Sequence, residues 1–262
     1  MQKSGLILSV ALLAAASFST YAASLMPDFA DPSTGWTTDR YEPNSFTNVG
    51  TYMGRADVLG IGISSNQNAA NRGAQSGMFY NTQGRQHAIT GGAGSSLDAD
   101  LFIDASWRDS TLGLVRSDMW GVMSDVGGVT DYPIIGFTNQ GGAARYRVYD
   151  GDTTNGWIDI ATPVAFGAWT AFSMVYIGGF EMDYFINGAL VYTDNTIGYG
   201  LPSEGFSAVI MQAYNFGDPT NFPNANAADY TARWANAQVP EPATLALLGL
   251  GLAGLGFARR KQ

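Results

Sequence analysis

The chain has 262 residues, 13 basic against 22 acidic, a formal net charge of −9 and no cysteine. An acidic surface of this kind argues against nucleic acid and anionic lipid as partners, since both repel it. One histidine and no cysteine exclude zinc sites built from several such ligands, and the fold must rely on its core instead of disulfides.

The N-terminus reads as a secretory signal peptide over residues 1–22. Lys3 supplies a basic start, Gly5 to Phe18 is almost wholly apolar, and Thr20 and Ala22 are small residues placed for cleavage. The apolar run is short for a span, which needs about 20 residues. Residues 23–238 then form one domain. Four of the 13 basic residues belong to the chain's ends, which leaves nine, all arginine. One of the 22 acids, Glu241, does too, which leaves 21 and a domain charge near −12.

Period-two alternation dominates the domain, and helical periodicity is nearly absent. VLGIGI alternates Leu59, Ile61 and Ile63 with glycine. SLDADLFID sets Leu97, Ala99, Leu101 and Ile103 on one face and Asp98, Asp100, Phe102 and Asp104 on the other. Further predicted strands are SGMFYNT, MWGVMSD, YPIIGFT, ARYRVYD and GWIDI. WTAFSMVYI and FSAVIMQAY carry apolar residues on both faces, as buried strands do. About ten to twelve strands with turn signals between them predict an all-β fold, a two-sheet antiparallel sandwich.

FEMDYFINGALVYTD joins two alternating runs through Asn187-Gly188, the signature of a two-residue type I′ hairpin. With the run beginning at Trp169, it resembles the concanavalin A-like, laminin G-like jelly roll over residues 169–193. That resemblance implies a jelly-roll-like sandwich of the kind that hosts lectins, glycan-cleaving enzymes and adhesion modules, and fixes none of these activities.

Several groups could carry chemistry. Asp98, Asp100 and Asp104 with Phe102 could bind sugar hydroxyls and cover an apolar sugar face; a plain solvated strand face is the alternative. Arg145, Arg147 and Tyr149 in RYRVYD could bind a planar or acidic glycan, or simply form ion pairs. Asp150 and Asp152 sit in a loop resembling a calcium site, but Thr154 and Ala161 stand where ligands belong. Asp218 and Asn221 lie in a second oxygen-rich loop. Calcium is the one cofactor these loops suggest. Glu181 and Asp183 begin like the E-x-D-x-E strand of laminarinase-like glucanases, yet Phe185 stands at the fifth position and Ile186 at the sixth, so the acid/base is missing and no catalytic residue is expected. His87 has no G-x-S-x-G partner.

GLGLAG, Gly249 to Gly254, fits a dinucleotide fingerprint, but only eight residues follow it in this sequence, too few for the second strand and the acid that such a site needs. The glycines lie instead in an apolar run, Ala243 to Ala258, closed by Arg259, Arg260 and Lys261. Sixteen residues span about 24 Å as a helix, near the short limit for a membrane crossing. The order Pro240-Glu241-Pro242, apolar segment, basic end resembles the PEP-CTERM sorting signal over residues 239–262. That resemblance implies a single C-terminal membrane helix and a membrane-anchored precursor that is cut by an exosortase near the Pro-Glu-Pro motif. It also implies passage through the inner membrane of an exopolysaccharide-making bacterium to the cell surface or beyond. The expectation is thus an exported surface or matrix protein whose sandwich binds carbohydrate, with the host's exopolysaccharide as the expected ligand, without cleaving it. A structural or adhesive matrix role is the alternative, and a glycan-cleaving enzyme comes third.

Overall fold

The computed structural model describes residues 24–67, 81–154, 156–198, 203–218, 221, 222 and 225–236. The expected leader and the sorting segment lie outside them. Among the described residues no helix is long and apolar enough to cross a membrane.

The chain folds as a sandwich of two antiparallel sheets. In order the strands are β1 (Trp36–Thr38), β2 (Ser45–Asn48), β3 (Leu59–Ile63), β4 (Thr82–Gly91), β5 (Ser96–Ile103), β6 (Arg116–Asp125), β7 (Gly128–Asp131) and β8 (Ile134–Thr138). They continue as β9 (Arg145–Tyr149), β10 (Trp157–Ile160), β11 (Ala168–Gly178), β12 (Glu181–Ile186), β13 (Ala189–Asp194), β14 (Gly205–Tyr214) and β15 (Tyr230–Asn236). An eight-stranded sheet runs β1-β4-β14-β6-β8-β9-β10, with β7 beside β6. A seven-stranded sheet runs β13-β12-β11-β5-β15-β3-β2.

Alternation decides which side chains meet between the sheets. Leu97, Ala99, Leu101 and Ile103 of β5 are all fully buried there. Phe172 and Met174 of β11, Tyr184 of β12 and Trp234 of β15 join them from the same sheet, and Met119, Phe137, Tyr146, Val209 and Met211 come from the other. Each such side chain contributes about 1.5–3 kcal/mol on leaving water. Polar atoms trapped between the layers are paired across them. Trp234 Nε1 donates to Ser117 Oγ at 2.9 Å, and the hydroxyls of Tyr146 and Thr170 lie 2.8 Å apart.

The Asn187-Gly188 turn is as expected. Both residues have positive φ, 50° and 77°, and Ile186 pairs with Ala189 directly across it. Strands β4 and β15 were not expected. The inward positions of β4 carry Gln83, Arg85 and His87, and Gln83 Nε2 donates to Gln67 Oε1 at 2.9 Å while its own Oε1 is buried without a partner among the described residues. Arg85 pairs with Glu42 at 2.6 Å, and His87 packs its ring 5.3 Å from Trp36. Most of the expected strand SGMFYNT lies outside the described residues.

Candidate functional site

The carboxylates of β5 are engaged within the protein. The turn at residues 49–57 folds over them. Arg55 forms a 2.6 Å ion pair with Asp100, and Phe102 is packed edge-on against Tyr52 and Trp169. Trp169 Nε1 donates to Met53 O, which holds that turn in place. Burial raises the Asp100 carboxyl, Arg55 restrains the rise, and Asp98 adds to it. Asp98 accepts from Ser96 Oγ at 2.5 Å. Asp104 caps a 3-10 turn, Ala105–Arg108, by accepting from Ser106 N.

The oxygen-rich loops are engaged as well. Asp150 accepts from Asp152 N at 3.0 Å and from Tyr192 Oη at 2.5 Å. Asp218 is fully buried and accepts from Asn221 Nδ2 at 2.6 Å. Among the described residues no three acidic or histidine side chains are grouped as metal ligands.

The outer face of the eight-stranded sheet is different. Here β6 presents Arg116, Asp118 and Trp120, β9 presents Arg145, Arg147 and Tyr149, β10 presents Trp157 and Asp159, and β14 presents Gln212. Strand register sets Asp159, Arg147, Gly136, Asp118 and Gln212 side by side in one row. Arg116 Nε and Gln212 Nε2 both donate to Asp118 Oδ2, at 2.6 and 2.7 Å. Gly136 leaves the room that Asp118 needs, since a methyl there would collide with Asp118 Oδ1 and with the backbone of β6.

Three buried atoms in this row lack a protein hydrogen-bond partner: Asp118 Oδ1, Gln212 Oε1 and Arg147 Nε. Arg145 is tied to Asp159 at 2.7 Å and to the carbonyls of Gln140 and Ala143. Arg147, 6% exposed, pairs with no carboxylate among the described residues. Burial lowers its guanidinium to about 10, the charge of Arg116 pushes the same way, and Asp118 opposes. It is still a cation at neutral pH.

Aromatic rings complete the face. Trp157 stands in the row of Tyr149, 5.0 Å from it ring to ring. It leans across to lie 3.9 Å from the Arg147 guanidinium and 4.5 Å from that of Arg116. Tyr132, Tyr149 and Trp157, all half-buried, pack against a small cluster of Trp120, Val122, Ile134 and Ile210 that is separate from the main core. The Arg40 guanidinium covers Trp120 at 4.6 Å. Half-buried rings beside guanidinium donors can cover the apolar face of a sugar and bond its oxygens.

Of the residues expected to bind ligand, Arg147 and Tyr149 lie on this face, and Arg145 lies at its edge. Asp98, Asp100, Phe102 and Asp104 are on the opposite sheet. Arg116, Asp118, Trp157 and Gln212 were not expected. The expected strand MWGVMSD began three residues too late to include Arg116 and Asp118.

Residues 238–261 match the PEP-CTERM protein-sorting motif. The comparison with curated proteins returns no match. Among solved structures the chain is similar in fold to a lichenase, a β-1,3-1,4-glucanase from a mouse hindgut metagenome, at 12% identity over 79% of this chain and 95% of that one, TM-score 0.45. The cellulose induced protein Cip1 matches at 12% identity over 79% and 90%, TM-score 0.46. A sialidase matches at 13% identity over 77% of this chain, TM-score 0.43, and the chain spans 16% of that protein's length.

Proposed function

We propose that this is an exported protein, processed by an exosortase at its PEP-CTERM segment, whose sandwich binds carbohydrate at the cell surface or in the matrix without cleaving it. The sorting motif at residues 238–261 supports the export route. The observation that carries the binding reading is Trp157, half-buried and backed by the guanidiniums of Arg116 and Arg147 on the outer face of the eight-stranded sheet. Such a ring supplies stacking area while the arginines supply donors.

A binding role suits the carboxylates better than hydrolysis does. Hydrolysis with retention needs two carboxyl groups about 5–5.5 Å apart. Asp118 is committed to Arg116 and Gln212, and Asp183 accepts from Thr193 Oγ1 at 2.6 Å on the other sheet. The host's own exopolysaccharide is the ligand class that fits the sorting route.

The test is binding of the full chain, purified in detergent, to a glycan array with and without calcium. Saturable binding to one glycan class that is lost in Trp157→Ala supports the reading. Binding lost on chelation moves the site to the Asp150 and Asp218 loops. No binding in either condition assigns a structural matrix role.

A further inference from the structure

The row beneath Trp157 is not neutral. Arg116 is balanced by Asp118 and Arg145 by Asp159, and Arg147 has no balancing acid among the described residues. A lone buried guanidinium is costly, because it has left water and gained no anion in return. Its Nε is sealed from solvent without a partner. The neighbouring carboxylates, Asp118 and Asp159, make their ion pairs with other arginines. Asp118 Oδ2 takes two donors, and the Asp159 carboxylate is held by Arg145. Among the described residues Asp118 Oδ1 has no hydrogen-bond partner, so the row holds a buried acceptor as well as this cation, and no ion pair joins the two.

We propose that Arg147 is the carboxylate-binding residue of the face, so that the carbohydrate it takes is acidic, a uronate-bearing glycan. This rests on the glycan-binding reading and adds the chemical class of the sugar. A planar guanidinium meets a carboxylate through two parallel hydrogen bonds, which an ammonium or an amide cannot reproduce. Trp157, stacked on Arg147, covers the sugar ring that bears the carboxylate. Asp118 and Gln212 touch no sugar. They position Arg116, whose charge adds to the field at Arg147.

The experiment titrates the full chain in detergent with oligomers of galacturonate, glucuronate and mannuronate. Each is paired with the same oligomer after its carboxyl groups have been reduced to alcohols, and titration calorimetry reports occupancy. At least one uronate oligomer should bind tenfold or more tighter than its reduced partner, and Arg147→Gln should abolish that preference. Arg147→Gln removes an unpaired buried charge, so its thermal unfolding should be no lower than that of the native chain, and Arg147→Lys should keep only part of the preference. If no uronate binds better than its reduced partner, or if Arg147→Gln keeps the preference, the proposal is overturned. Should reduced or neutral glycans bind at Trp157 with equal strength, the acidic class fails and the glycan reading stands. Should none bind, both fail.

Discussion

The guanidinium of Arg147 lies 3.9 Å from the centre of the Trp157 ring, although the two residues are not paired across their strands. Trp157 stands opposite Tyr149, and Arg147 stands opposite Asp159. The contact is therefore a diagonal one, of the kind long side chains make between neighbouring strands. It places an indole from the edge strand over the buried charge. Trp157→Ala should weaken glycan binding at least tenfold while costing the fold only about 1–2 kcal/mol, the size of a lost aromatic and cation–π contact. Titration calorimetry and urea unfolding on the same preparation separate the two effects. Unchanged affinity would remove Trp157 from the site.

Asp118 holds the row together from below. It is fully buried and receives Arg116 and Gln212 on one oxygen. Asp118→Asn leaves Arg116 without its counter-charge, and breaking a buried pair from one side costs about 3 kcal/mol or more. The urea midpoint should fall accordingly. A midpoint within error of the native value would mean that water already serves Arg116.

Much of the sandwich was legible because the apolar pattern alternates in β5 and β12 and fills both faces in β11 and β14, as buried strands do. The type I′ turn was legible because Asn-Gly meets a backbone demand that few other pairs meet. Strand β4 was missed because its inward residues are polar, and β15 because Ala232 and Trp234 make only a short pattern among turn-like neighbours. The site was harder. Arg147 and Tyr149 were visible as Arg and Tyr in one strand, yet nothing local links them to Asp118, Trp157 or Gln212. That link is the register of five strands, set by the whole sheet. The surroundings of the β5 acids were hidden for a related reason. Their face is open in the pattern, but the turn carrying Tyr52 and Arg55 closes over it.

Asp194 makes the fold lose stability as pH rises through the mildly acidic range. Burial raises its carboxyl to about 6, Thr196 restrains the rise through two hydrogen bonds, and Asp150 and Asp131 add to it. The ordinary value is 3.8. Between these two values the folded state keeps a proton that the unfolded chain releases, so this contribution to stability is complete below the lower value and is lost as pH rises through the upper one. Asp194→Asn keeps an oxygen for Thr196 and removes the titration. The variant's urea midpoint, measured relative to native, should therefore climb between about pH 4 and 6.5 and then level. A flat difference across that window would refute the assignment.

Tyr230 ties the two sheets at the backbone. Its hydroxyl lies 2.6 Å from Tyr214 O and 2.8 Å from Arg116 O, and it accepts from Tyr214 N at 3.0 Å. Burial pushes its ionisation well above the usual range, so it stays a donor at every physiological pH. Tyr230→Phe strands these groups between the layers and should cost about 1–3 kcal/mol. Thermal unfolding checks this, and an unchanged midpoint would show that the carbonyls find other donors.

The sorting segment makes a prediction independent of the sandwich. Proline restricts its own φ and disfavours the helical region in the residue before it, so the sequence Pro240-Glu241-Pro242 favours an extended shape that a processing enzyme can grip and that alanine does not enforce. Replacing Pro240 and Pro242 together with alanine should leave the chain uncut. The apolar run from Ala243 to Ala258 should then hold it in the inner membrane, with Arg259, Arg260 and Lys261 on the cytoplasmic side. Fractionation of the host with an antibody to the sandwich distinguishes the outcomes. The native chain should be found shortened at the surface or in the medium, and the variant at full length in the membrane fraction. If the variant reaches the medium shortened to the native size, the processing enzyme does not read these prolines and the exosortase route is wrong for this chain. Binding of glycan at Trp157 would be untouched by either result, because every residue of that face lies between Arg40 and Tyr214.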